Sequence, residues 1–367
     1  MRLARLGGPI LALLLFAASA AAQPDAAPKP PPRLEVGLEL MIGVAEGQQP
    51  YVFGGIRNVT AGPGGRIIAV DRLDLLLRVF DPTGQFLYAF GSAETPLSGA
   101  QVLRVVGNDV EVYDRSNRRL TTYALDGGFV RDRTIADAPV STTREVPLRY
   151  GWVFGTTSST ATDSLRFVLL ADAGHRVDTV ATHATGWALR NRPDLGLKSP
   201  ALSLGPGGDW AVAGDSLVAI VDAYEGIISW QRVDPSGLMA PRTRDLEWTP
   251  VRIERADVTA IQQRVREVHQ VPRGQSVSVE TPRFYGRVAR ALLDDRGRVW
   301  LQMRDRFDVT DDWLIVGAEP SEDARVSLPT GFTPLAIAND RIYGGARSGD
   351  GVWRVIVYHI EDPRVQR

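Results

Sequence analysis

Four aspartates recur along this 367-residue chain where a strand-like run gives way to a turn: Asp71 in GRIIAVD, Asp114 in NDVEVYD, Asp215 in GGDWAVAGD and Asp305 in RGRVWLQMRD. Carboxylates at equivalent points of a repeat lie around one ring and could supply the several oxygen ligands that calcium takes. Aspartate at the end of a strand also accepts the backbone amides of its own turn, and this structural role is the favoured one. No cofactor is therefore expected, with Ca2+ an alternative that no motif supports. The histidines are His175, His183, His269 and His359, and no pair has the HExxH spacing of a zinc site. The chain has no cysteine, which excludes a disulfide, a thiolate metal site and a catalytic thiol. Neither a GxSxG elbow nor an SxxK motif marks a nucleophile. GPGG occurs at residues 62–65 and 205–208, but no GKS or GKT follows, so these glycines form turns and not a phosphate cradle. Arginine beside aromatics is a further signal. TPRFYGR at residues 281–287 carries Arg283, Arg57 stands at the start of the first unit, and Arg304 follows a second strand. Such arginines could recognise carboxylates or peptides, although an amphipathic edge strand explains the same pattern. The candidate ligand-binding residues are Arg57, Asp71, Asp114, Asp215, Arg283 and Arg304.

The elements that would position these residues are short strands. In residues 56–91, the runs 66–70, 77–80 and 85–90 are rich in β-branched and aromatic residues, and the turn formers GPGG and DPTG separate them. Asp71 follows the second strand of this unit, and the equivalent residues are Asp114, 43 residues later, Thr156 after a further 42, then Asp215, Asp305 and Arg347, the last 42 after Asp305. A period near that length fits a four-stranded blade. The longer intervals on either side of Asp215 contain insertions. One of these carries Val258, Ile261, Val265 and Val268 at helical spacing, with Asp257 as cap and Pro272 beyond, which predicts a helix near residues 257–269. It packs on a blade flank, or in the alternative forms a lid. Six units follow: residues 56–91, 98–135, 146–183, 201–246, 284–328 and 333–361. The last is one strand short, and the apolar run at residues 34–43 is available to complete it, removing free sheet edges.

Arg2 and Arg5, the apolar residues 10–16 and the alanines before Gln23 form a secretory signal over residues 1–22. QPDAAPKPPP at residues 23–32 reads as a proline-rich linker, leaving residues 33–367 as the folded domain. The apolar run is too short to span a bilayer, so cleavage and a periplasmic or secreted location, without a stable membrane anchor, are expected. Loss of Arg2 and Arg5 takes the formal net charge from −1 to −3. No basic block suggests nucleic acid as a partner. All 42 basic residues except Lys29 and Lys198 are arginine.

Asn58-Val59, residues 64–71, Arg78-Val79-Phe80-Asp81 and Gly84 together resemble a blade of the NHL-repeat and TolB-like six-bladed β-propellers, and residues 294–301 resemble the inner turn and second strand of another. The resemblance implies an all-β fold of six blades, closed by pairing of the N-terminal strand with the C-terminal blade. It also implies a ligand site at the mouth of the central channel. Propellers of this group include metal-dependent lactonases, other hydrolases, lyases and noncatalytic modules, so fold alone does not select an activity. With no catalytic motif, the sequence favours an exported noncatalytic module binding a protein, peptide or glycan. A lactonase-like hydrolase or lyase with a metal in the channel is the alternative.

Overall fold

Why the middle strands read as unbroken apolar runs is clear from their surroundings: both faces are covered. In the computed structural model, β3 (Ile67–Asp71) directs Ile68 and Val70 into one apolar cluster and Ile67 and Ala69 into another on its opposite face. The same alternation holds in β15 (Leu217–Asp222), where Val218 and Ile220 enter one cluster and Ala219 and Val221 the next. A half-solvated sheet would alternate polar and apolar residues; a sheet sandwiched between two others does not.

The structure describes residues 30–364 except 75, 92–99, 115–116, 136–141, 149–150, 158–163, 172–175, 185–209, 215, 224, 235–236, 250, 269, 273, 275–283 and 306–307. The expected signal, most of the linker, Asp215, Arg283, His175 and His269 lie outside these residues. Among the described residues, five antiparallel sheets of four or five strands are built from consecutive strands. The first comprises β2 (Ile56–Ala61), β3, β4 (Leu77–Phe80) and β5 (Phe86–Phe90). The second comprises β6 (Ala100–Val106), β7 (Asp109–Asp114), β8 (Arg119–Ala124) and β9 (Phe129–Thr134). The third comprises β10 (Thr142–Leu148), β11 (Gly151–Thr157), β12 (Ser164–Ala171) and β13 (Arg176–Ala184). β14 (Trp210–Gly214), β15, β16 (Ile227–Asp234), β17 (Gly237–Leu238) and β18 (Arg242–Asp245) make the fourth. β21 (Val288–Leu293), β22 (Val299–Asp305), β23 (Asp308–Val316) and β24 (Ala324–Ser327) make the fifth. A further sheet is composite: β25 (Phe332–Ala338), β26 (Arg341–Arg347) and β27 (Trp353–Glu361) are joined by β1 (Glu35–Ile42), which runs antiparallel to β27 from Glu35 opposite Glu361 to Ile42 opposite Val355.

Each sheet packs on the next through its own cluster. Leu103 and Val112 meet Ile68 and Val79; Trp152 meets Tyr113; Leu148 and Leu169 meet Val218; Trp230 meets Val288 and Leu301; Trp300 and Trp313 meet Phe332 and Ile342. Ile42, Tyr343 and Val355 of the composite sheet meet Val59 and Phe80 of the first. Each fully buried side chain of this size stabilises by about 1.5–3 kcal/mol. Close approach there requires glycine: a Cβ at Gly345 would sit 2.8 Å from Cβ of Ile56.

Two expectations are corrected. The run ending at Asp215 was expected to be a second strand, but it is the first strand, β14; the aspartate that ends the second strand of that sheet is Asp222 in β15. Both runs are apolar and both are followed by aspartate, and the neighbouring insertions obscure the period. The helix begins two residues earlier than expected, as α1 (Arg255–Val268), the one α-helix among the described residues. Asp257 is in its first turn instead of capping it, and its Oδ2 accepts the Glu254 backbone N–H at 2.8 Å. This is the reach-back half of a capping box, in which the carboxylate satisfies a donor ahead of the helix. Val251 and Arg252 of β19 (Val251–Arg252) pair with Tyr285 and Phe284 of β20 (Phe284–Tyr285), so the helix-bearing insertion rises from a two-strand root.

Candidate functional site

The residues of interest collect where second strands end and first strands begin. Here two of the expected aspartates, Asp71 and Asp114, are already engaged. Asp71, 1% exposed, accepts the backbone N–H of Gly54 at 2.9 Å and of Leu73 at 2.8 Å. Its Oδ2 lies 3.3 Å from Arg78, whose guanidinium also pairs with Asp74 and donates to the Val52 carbonyl at 2.6 Å. Asp114, also buried, accepts Asn117 N at 3.2 Å and Asn117 Nδ2 at 3.0 Å. Asp222 accepts Glu225 N at 2.8 Å. Asp305 is exposed at the end of β22. Short side chains held against their own turns are what aspartate at a strand end provides. Among the described residues, no group of three or more His, Asp or Glu side chains is arranged to hold a metal ion.

Arg57 occupies a β-bulge: β2 steps from Ile56 opposite Asp71 to Asn58 opposite Val70. Equivalent slips occur between Ala100 and Val102, between Val288 and Arg290 and between Pro334 and Ala336. A bulge bends the strand and re-aims a side chain, so its recurrence in first strands prepares one end of these sheets for presentation.

Arg304 lies near the end of β22, half-buried, and donates its backbone N–H to the Arg287 carbonyl at 2.8 Å. Arg287 in turn donates its N–H to Ala223 of the preceding sheet at 3.2 Å, and its guanidinium lies 6.0 Å from the Trp248 ring centroid. Arg290 stands opposite Gln302 one step along the ladder. Burial pushes Arg290 and Arg304 below the usual arginine value, because removal from water disfavours the charged form. Arg287 closes the TPRFYGR run but was not among the candidate ligand-binding residues, and Arg290 was not singled out from the sequence. Their available signal is the pair of arginines three apart at the opening of an apolar strand, directly after the aromatic Phe284-Tyr285.

Sheets radiating in chain order, each packed on its neighbours and each presenting its first strand inward, define a β-propeller, here with arginines at one end of its fifth sheet. No protein-family model and no curated protein matches the sequence. Among solved structures, a Bacteroides fragilis protein described as a candidate exported protein superposes with a TM-score of 0.53 at 12% identity, over 89% of this chain and 96% of that one. A luciferin-regenerating enzyme gives 0.46 at 10% identity over 89% and 96% of the two chains, and virginiamycin B lyase from Staphylococcus aureus gives 0.39 at 12% over 90% of each. The likeness at these identities is one of fold.

Proposed function

We propose that the protein is an exported, noncatalytic binding module: a single domain over residues 33–367, six-bladed, with β1 closing the ring and the ligand held at the channel mouth. The observation that carries the reading is the division of labour among polar groups at that end. The repeat carboxylates Asp71 and Asp114 accept hydrogen bonds from nearby loop and turn groups, whereas among the described residues Arg287, Arg290 and Arg304 have no carboxylate partner. Acid–base or metal-assisted chemistry needs carboxylates or histidines converging on one point; recognition needs donors and aromatic surface. Closure is supported by the β1–β27 ladder and by the cluster joining the composite sheet to the first. Export is supported by the signal-like residues 1–22 and the proline-rich residues that follow, and among the described residues no helix is long and apolar enough to cross a membrane.

The experiment is to isolate the mature protein from the periplasm and culture medium, determine its N-terminus and metal content, and probe peptide, protein and glycan arrays beside a panel of lactone and ester substrates. Selective capture without turnover is expected. Stoichiometric metal together with hydrolysis or elimination that depends on it would replace this reading with the hydrolase or lyase one.

A further inference from the structure

Among the described residues, the three buried arginines are answered by carboxylates. Arg78 pairs with Asp71 and Asp74, Arg104 with Glu111, and Arg298 with Asp294. Three half-buried arginines, Arg287, Arg290 and Arg304, stand together at one end of β21 and β22. Among the described residues none of them has a carboxylate partner, and the Nε atoms of Arg287 and Arg304 are both enclosed without a hydrogen-bond acceptor. Burial depresses Arg290 and Arg304 with no opposing charge to offset it.

Arginine does not shed its proton to escape such a position, so the charge stays. An uncompensated, partly desolvated cation is costly. Packing alone gives no reason to retain three of them, because apolar side chains of similar volume fill such space as well or better. Arg287 is steadied by the face of Trp248, a contact that leaves its in-plane N–H donors unspent. The root of the helix-bearing insertion, Phe284 and Tyr285, immediately precedes this group. A two-oxygen anionic edge is what a guanidinium fork matches, and both carboxylate and phosphate present one.

We infer that Arg287, Arg290 and Arg304 form an oxyanion-binding site that takes the carboxylate or phosphate group of a small ligand, with Trp248 as the stacking wall. The site deepens the binding function proposed above and rests on it.

The test uses the mature chain with malonate and with inorganic phosphate as probes, and chloride at equal ionic strength as control, read by thermal unfolding and titration calorimetry. An anion that binds only the folded state raises the melting temperature in proportion to its occupancy. Malonate, phosphate or both are expected to raise it beyond chloride, and the one that does so assigns the ligand's anionic group. Arg304→Met and Arg290→Met should each weaken the dissociation constant at least tenfold, and the surface variant Arg242→Met should leave it unchanged. Without anion at low salt, Arg304→Met should melt no lower than the parent, since it relieves an unpaired charge; Arg304→Gln serves the same purpose if the methionine variant does not fold. The inference is overturned if neither anion exceeds chloride, if the arginine variants keep the parent affinity, or if both Arg304 variants melt well below the parent without anion. Array capture that survives in the arginine variants overturns this site alone. Anion binding with no array capture overturns the binding module alone.

Discussion

Replacing Asp294 by alanine tests how the inner turns of these sheets are held. The carboxylate is 3% exposed and receives four donors: the backbone N–H groups of Arg296 at 3.0 Å and Arg298 at 2.8 Å, Arg298 Nε at 2.8 Å and Trp300 Nε1 at 3.0 Å. Removing one member of a buried ion pair costs about 3–5 kcal/mol, because the partner stays behind uncompensated, and Arg298 is only 7% exposed. The buried Trp300 indole N–H loses its acceptor as well, adding about 1 kcal/mol or more. Two effects reduce the total. Arg296 is exposed and its amide regains water, and Asp362 is close enough to be influenced by the charge on Arg298. A loss of about 4 kcal/mol is expected for Asp294→Ala. For Asp294→Asn, which keeps the shape and one acceptor oxygen, we expect roughly half of that. Urea unfolding followed by tryptophan fluorescence measures both. Arg296→Ala is the control, because its pair with Asp340 is half-exposed on both sides, and such pairs contribute about 0–1 kcal/mol. A loss below about 1.5 kcal/mol for Asp294→Ala would refute the view that one buried carboxylate organises this turn.

Asp71→Ala leaves the Gly54 and Leu73 amides without their acceptor and should cost about 2–4 kcal/mol in urea titrations; a change under about 0.5 kcal/mol would free Asp71 for a ligand role. Gly345→Val drives a side chain into Ile56 and should destabilise by about 1–3 kcal/mol through overpacking, seen as a lower urea midpoint with little change in slope. The Asp350 carboxyl is held down at about 2 from the usual 3.8, first by the Ser348 hydroxyl and then by the Val352 amide and Arg354. A folded-state value below the unfolded one means that its contribution is complete above about pH 3.8 and disappears as pH falls through about 2. Carbon-detected NMR titration should find this value, and Ser348→Ala should move it back upward. Deleting residues 30–43 removes β1 with the buried Leu34 and Ile42 and bares β27 as an edge. Aggregation on size-exclusion chromatography is the expected result; a monomer of unchanged melting temperature would argue against the composite sheet.

Much of the architecture is present in local chemistry. Leu77–Phe80 was legible to the residue, because a strand covered on both faces is apolar throughout and the DPTG turn ends it sharply: Asp81 accepts Thr83 N and Gln85 N at 2.8 and 2.9 Å, and Gly84 takes φ +85°. The α1 stripe was legible for the same kind of reason, with Ile261 buried as its period requires; the start was misjudged because Asp257 serves equally well as a cap or as a reach-back acceptor. The fourth sheet was misread because WAVAGD and LVAIVD are alike as short apolar runs closed by aspartate, and only pairing tells first strand from second.

Most of the short strands and their turns were legible in the chain alone, since these depend on side chains within a few residues of one another. The sequence also placed aspartates at strand ends. Tertiary structure alone decided what each charge meets. Arg78, Arg104 and Arg298 find carboxylates, while Arg287, Arg290 and Arg304, identical to them as letters, find none among the described residues. Compensation of a charge depends on burial and on distances across strands and sheets, and neither quantity is local in the chain.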